Sequence, residues 1–116
     1  MKSFLAIYLG TPDSMKGWED LSEDERQQRM QKGMAAWGAW MEKHKDILVA
    51  SGGPLGKTKR IDPNGIADTR NNMSGYVIVK AETHEEAAKL FEEHPHFTIF
   101  PGDSVEVMEC LPIPTS

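Results

Sequence analysis

The chain has 116 residues, a formal net charge of −5 with histidine neutral, 39% hydrophobic residues and 27% charged residues. That length suits one domain with one core, spanning residues 1–116. The acidic balance argues against nucleic acid or an anionic membrane as partner, because both need clustered Lys and Arg. The nearest basic cluster, Gly56–Arg60, reads as a solvated turn or edge strand. No apolar run approaches the roughly 20 residues needed to cross a bilayer. The run Phe4–Leu9 is also shorter than the ~7–15 residues of a signal-peptide core, so it is read as a strand. Cys110 is the only cysteine. It excludes an intrachain disulfide and a Cys-based zinc site, and a reducing, cytoplasmic setting is the simplest expectation.

In chain order, Lys2–Leu9 is a β-rich segment with apolar residues on both faces. Phe4, Ala6 and Tyr8 fall on one side, and Leu5, Ile7 and Leu9 on the other, so both faces need cover. Gly10, Pro12, Asp13 and Gly17 mark the next segment as a loop. Leu21–Asp46 is the clearest helix, opened by a capping box at Ser22 and Glu25. Its buried stripe is expected at Met30, Met34, Trp37, Met41 and His44. Gly33 and Gly38 each weaken that helix by about 1 kcal/mol against Ala, though glycine also permits close packing. A strand from Ile47 ends in a Gly/Pro turn. A polar hairpin follows, with Asp62-Pro63-Asn64-Gly65 at its tip.

Gly75–Ala81 is a further strand. Thr83–His94 is a second helix, opened by a capping box at Thr83 and Glu86. Ser104–Cys110 is the last strand, with Val105 and Val107 on one face and Cys110 as a small core residue. The order β-α-β, hairpin excursion, β-α-β is that of a ferredoxin-like α+β fold. It sets two helices on one face of a four-stranded antiparallel sheet. The helices cannot cover the second face, so a homodimer with facing sheets is expected. The space between those sheets is then the natural ligand pocket.

The segments Gly38–Gly56, Gly75–His96 and Ser104–Cys110 resemble the YCII-related family, small dimeric α/β-barrel proteins, over almost the whole chain. The resemblance implies a single domain of that kind. In some members a His–Asp pair in a cleft has been proposed as catalytic, and one branch is linked to loss of HCl from chlorinated hydroquinones. Here His94 stands where the family's Asp would fall, and the family's His position falls near Gly33–Met34, where there is no His. The Asp-Gly-Pro-Phe element of one subgroup is also absent.

The chemistry-bearing residues centre on His94-Pro95-His96. Histidine titrates near neutral pH and suits proton transfer. In an extended segment the two rings, two residues apart, would line one cleft. Read without chemistry, His94 closes the preceding helix and Pro95 terminates it. Two histidines make no metal shell, so neither metal nor cofactor is expected. Tyr8 and Tyr76 are candidate ligand contacts from the inter-sheet space. Trp40 lies off the core stripe and could face a cleft, whereas Trp37 reads as core. Asn72 could reach a ligand at the sheet edge, and Asp103 could orient His96. The expected function is small-molecule binding, with lyase or isomerase chemistry using His96, and His94 nearby, as proton acceptor. The alternative is a non-catalytic dimeric ligand-binding or interaction module.

Overall fold

The structure is a computed structural model describing residues 1–114. Strand β1 (Lys2–Leu9) leads into helix α1 (Pro12–Glu19) and helix α2 (Glu23–Lys43). A short 3-10 turn at Lys45–Ile47 precedes β2 (Leu48–Pro54), β3 (Thr58–Asp62), β4 (Gly65–Thr69) and β5 (Met73–Ala81). Helices α3 (His84–Lys89) and α4 (Pro95–Thr98) and strand β6 (Ser104–Glu109) complete the chain.

Four strands form one antiparallel sheet in the order β2-β5-β1-β6, and β3-β4 pair separately as a hairpin. This is the expected ferredoxin-like α+β arrangement with its excursion. The alternation in β1 decides which face is core. Phe4, Ala6 and Tyr8 are buried, and so are Val77 and Val79 on β5. Trp37 and Trp40 of α2, Ala87 of α3, and Phe91 pack over them. Burying such side chains supplies roughly 1.5–3 kcal/mol each, the main term holding helices to sheet.

On the opposite face, Met108, Leu5 and Ile78 stand side by side in register, with Ile7 and Tyr76 in the next row. None of these five is buried in the single chain. The apolar second face is therefore real.

Several local expectations change. The segment read as a loop is helix α1. Thr11 is its N-cap, with Oγ1 accepting the Ser14 N–H, Pro12 sits in the first turn, and Asp13 follows. Pro and Asp serve turns and helix starts alike, which is why composition alone misassigned it. The buried line of α2 is also rotated from the expected stripe. Met30 and Met34 are 47% and 65% exposed, and the one buried position is Gly33. A Cβ on Gly33 would stand 2.5 Å from the Phe100 ring, so the glycine is the groove into which Phe100 fits.

The second helix is shorter than expected and splits in two. Backbone reversal at Glu93, φ 56°, separates α3 from α4. Ser22 and Thr83 do cap their helices, accepting the N–H of Glu25 and Glu86 at 3.2 and 3.1 Å. Cys110 is exposed just beyond β6, not part of the core, because the strand ends at Glu109. Of the Pro-rich tail, Thr115 and Ser116 lie outside the described residues. No helix among the described residues is long and apolar enough to cross a membrane.

The two glycines of α2 give a matched test. Around Gly38 there is open space where a Cβ would go. Gly38→Ala is expected to stabilise the chain by about 0.5–1 kcal/mol through helix propensity. Gly33→Ala is expected to destabilise it by roughly 1–3 kcal/mol through overpacking against Phe100. Urea unfolding of both variants reads the difference, and equal effects would contradict the packing assigned to Gly33.

Candidate functional site

The site grows from the exit of β1. Beyond the core face of that strand, the main-chain carbonyl of Leu9 accepts the Asp103 N–H at 2.9 Å and the His96 Nε2–H at 2.7 Å. Two residues on, Thr11 N–H donates to Asp103 Oδ2 at 2.7 Å. These bonds stitch the β1–α1 connection to the α4–β6 connection. Hydrogen bonds from Thr11 hold the Asp103 carboxyl below its ordinary pKa. Gly102 is needed at this seam, because a Cβ there would collide with the His96 ring.

His94 and His96 lie close to one another, but not because the segment is extended. Pro95 begins helix α4, and His94 is its N-cap, with Nδ1 accepting the His96 backbone N–H at 3.0 Å. His94 therefore starts a helix where it was expected to close one. That bond fixes its chemistry. A nitrogen that accepts carries no proton, so the neutral ring bears its proton on Nε2. Nε2 lies 3.4 Å from the Tyr8 hydroxyl, to which it donates. The ring is 1% exposed and is boxed in by Tyr8, Trp37, Trp40 and Phe91 at centroid distances of 5.1, 4.6, 4.9 and 5.8 Å. Burial, followed by the charges of His96 and His44, lowers its pKa to about 4. Both ring nitrogens are thus engaged within the protein, bracing Tyr8 and the start of α4.

His96 differs. Its Nε2–H is committed to Leu9, which leaves Nδ1 as the acceptor nitrogen of the neutral ring. Nδ1 has no protein partner, and no shut-off polar side-chain atom among the described residues lacks one, so Nδ1 is accessible. The residue lines a cavity of about 530 Å³. Trp37, Phe100, Met15 and Met34 supply its apolar walls, and Thr11 and Ser74, whose hydroxyls bond Ser14 and the Tyr8 carbonyl, also line it. No Lys, Arg, Asp or Glu lines it.

This cavity lies on the helix side of the sheet, bounded by α1 and α2, whereas the expected inter-sheet space would form only with a second copy of the chain. The other candidate residues sort accordingly. Tyr8 points into the helix side, whereas Tyr76 pairs with Ile7 and belongs to the opposite face. Tyr76 reaches only a smaller adjoining cavity, which Tyr8 also lines. The two tryptophans exchange their expected roles. Trp40 donates its indole N–H to the Leu90 carbonyl at 2.9 Å and packs on Phe91, outside the main cavity. Trp37 forms the cavity wall.

Asn72 offers only its main-chain carbonyl, to Gly10 N–H, and lines neither cavity. Its neighbour Asn71 ties the turn, accepting the Met73 N–H and donating to Thr58. Asp103 holds Thr11 and does not bond His96 directly. Phe100 had no sign in the sequence as a cavity wall, and Trp37 reads there as core. Nor does the sequence mark the ring that Gly102 makes room for. No group of three or more His, Cys, Asp or Glu that could hold a metal occurs among the described residues.

The profile of the YCII-related domain matches residues 12–112, and the protein belongs to that family. Among solved structures, the 5-chloro-2-hydroxyhydroquinone dehydrochlorinase of Burkholderia phenoliruptrix, in complex with 2,5-dihydroxybenzoquinone, has a similar fold. The TM-score is 0.52 at 22% identity, over 90% of this chain and 89% of that one. A comparison with curated proteins gives no match.

The low pKa of His94 has a consequence for stability. Its folded value of about 4 lies below the ordinary value near 6.5. Between the two, the unfolded chain binds a proton that the folded chain refuses. The stabilisation is thus complete above about pH 6.5 and is lost as pH falls toward 4, by at most roughly 3 kcal/mol. Urea unfolding at pH 7 and pH 4.5 should show a smaller pH-dependent loss in His94→Gln than in wild type. Equal losses would mean that His94 is not held neutral.

Proposed function

We propose that this YCII-related protein is a small-molecule enzyme of the lyase or isomerase kind, acting on hydroxylated rings or enols that carry no net charge. The observation that carries the reading is His96, which lines an apolar cavity with one ring nitrogen tied to a carbonyl and the other without a protein partner. Such a nitrogen accepts a proton from an acidic O–H or an activated C–H. The imidazolium so formed keeps its Nε2–H bond to Leu9, and the backbone carbonyl stabilises the new charge. Proton return to product or water completes the cycle.

The absence of a cation in the lining disfavours carboxylate ligands, because a buried carboxylate without a partner is costly. The dehydrochlorinase of similar fold was solved with a flat hydroxylated ring. One observation favours a second reading, a non-catalytic binding module: no carboxylate lines the cavity to share the proton. Turnover of a hydroxylated ring by wild type separates the two.

Hydroquinone and benzoate titrated into wild type and His96→Gln by calorimetry test the first reading. Glutamine can retain a donor toward Leu9 but not the basic nitrogen. Hydroquinone is expected to bind wild type, to bind the variant about tenfold more weakly, and to outcompete benzoate. Tighter binding of benzoate, or indifference of hydroquinone to the substitution, would overturn it.

The reading includes a homodimer whose sheets cover one another's apolar faces, in a reducing, cytoplasmic setting that suits one exposed thiol. Sedimentation should give twice the 13.0 kDa chain mass. Ile7→Glu, placed in the middle of the open face, should shift the protein to monomer. A monomeric wild type would sink this part of the reading.

A further inference from the structure

A second cavity, of about 200 Å³, adjoins the first. Tyr8, Trp37, Ser51, Pro54, Ser74 and Tyr76 are among its lining residues. Trp37 and Ser74 line both cavities, so the two share a wall. Ser74 spends its hydroxyl on the Tyr8 carbonyl at 3.1 Å, but Tyr8 and Trp37, which both line the smaller cavity, each keep a donor hydrogen. The tautomer of His94 makes the Tyr8 oxygen an acceptor, which leaves the phenolic hydrogen with no acceptor in the protein. Tyr8 is 3% exposed, and a buried donor without a partner is rare in folded proteins. Burial also raises the phenol's pKa, which keeps that hydrogen in place at neutral pH. The Trp37 indole N–H likewise has no protein partner, in contrast to Trp40, and the absence of any shut-off unpaired atom means that it is accessible.

We infer that the two cavities are lobes of one site, and that the smaller lobe takes a carbonyl oxygen of the ligand through the Tyr8 O–H and the Trp37 N–H. A carbonyl oxygen has two lone pairs and can accept from both. The larger lobe presents the opposite polarity, the His96 Nδ1 acceptor. The preferred ligand class is therefore a neutral two-ring hydroxyaryl ketone, with its hydroxyl at His96 and its carbonyl toward Tyr8. This deepens the reading of His96 as proton acceptor and rests on it.

The test compares two probes of nearly the same shape, 4-hydroxybenzophenone and 4-benzylphenol, which differ in the carbonyl. Calorimetry on wild type is expected to favour the ketone by about tenfold. In Tyr8→Phe that ratio should fall to about one. Because both probes are measured on the same variant, a general loss of affinity cancels. If Tyr8→Phe does not fold, Gly53→Leu serves instead. Gly53 lines the lobe, has open space where its Cβ would go, and should also abolish the preference. A wild type with no preference for the ketone, or a preference that survives both substitutions, overturns the inference. Hydroquinone that binds wild type and responds to His96→Gln, with no ketone preference, would locate the failure in the lobe. Hydroquinone that ignores His96→Gln would locate it in the reading beneath.

Discussion

One main-chain carbonyl, that of Leu9, organises the site. It accepts from the backbone of Asp103 and from the His96 ring together. The first bond fastens the entry of β6 to the exit of β1. The second chooses which nitrogen of His96 holds the proton. Without it, either tautomer of that ring would serve, and the cavity would face a donor as readily as an acceptor. The fold thus sets the tautomer of His96 through a backbone group, which no side-chain substitution removes directly.

Around that carbonyl the two histidines divide into unlike parts, although they sit two residues apart. His94 spends both nitrogens internally and is sealed by aromatic rings. His96 spends one and keeps one. The division follows from the N-terminus of α4. The helix start aims the His96 N–H at the His94 ring, and Pro95 leaves no competing donor between them. The same step makes Tyr8 an acceptor toward His94, so the protonation of one residue is settled by a backbone bond three groups away.

Much of the architecture was legible in the sequence. The alternation of Phe4, Ala6 and Tyr8 against Leu5, Ile7 and Leu9 named both sheet faces correctly, because period two leaves no ambiguity once one face is buried. The α2 helix was legible, but its phase was not. Methionines at helical spacing look like a core stripe, while the actual contact runs through a glycine that receives Phe100 from a distant segment. A missing side chain gives no periodic signal. His96 was legible as a candidate because of its residue type. Its partner Leu9 was not, since it acts through a main-chain group that every residue possesses. The exchange between Trp37 and Trp40 has the same origin: which indole N–H is satisfied depends on the Leu90 carbonyl, 50 residues away.

The sheet order also bears on how the protein is made. β1 lies between β5 and β6, so this strand is synthesised well before either of the strands it pairs with. Contacts of such sequence separation make for slow folding, because loop entropy must be lost before pairing repays it. During translation β1 leaves the ribosome with two unpaired edges and two apolar faces. Helix α2 can form on its own early, but the sheet closes only after Ser104–Glu109 has emerged. The seam at Leu9, which needs Asp103 and His96, is therefore among the last contacts made. The nascent chain can therefore bury much of its core before the seam that orients His96 has formed.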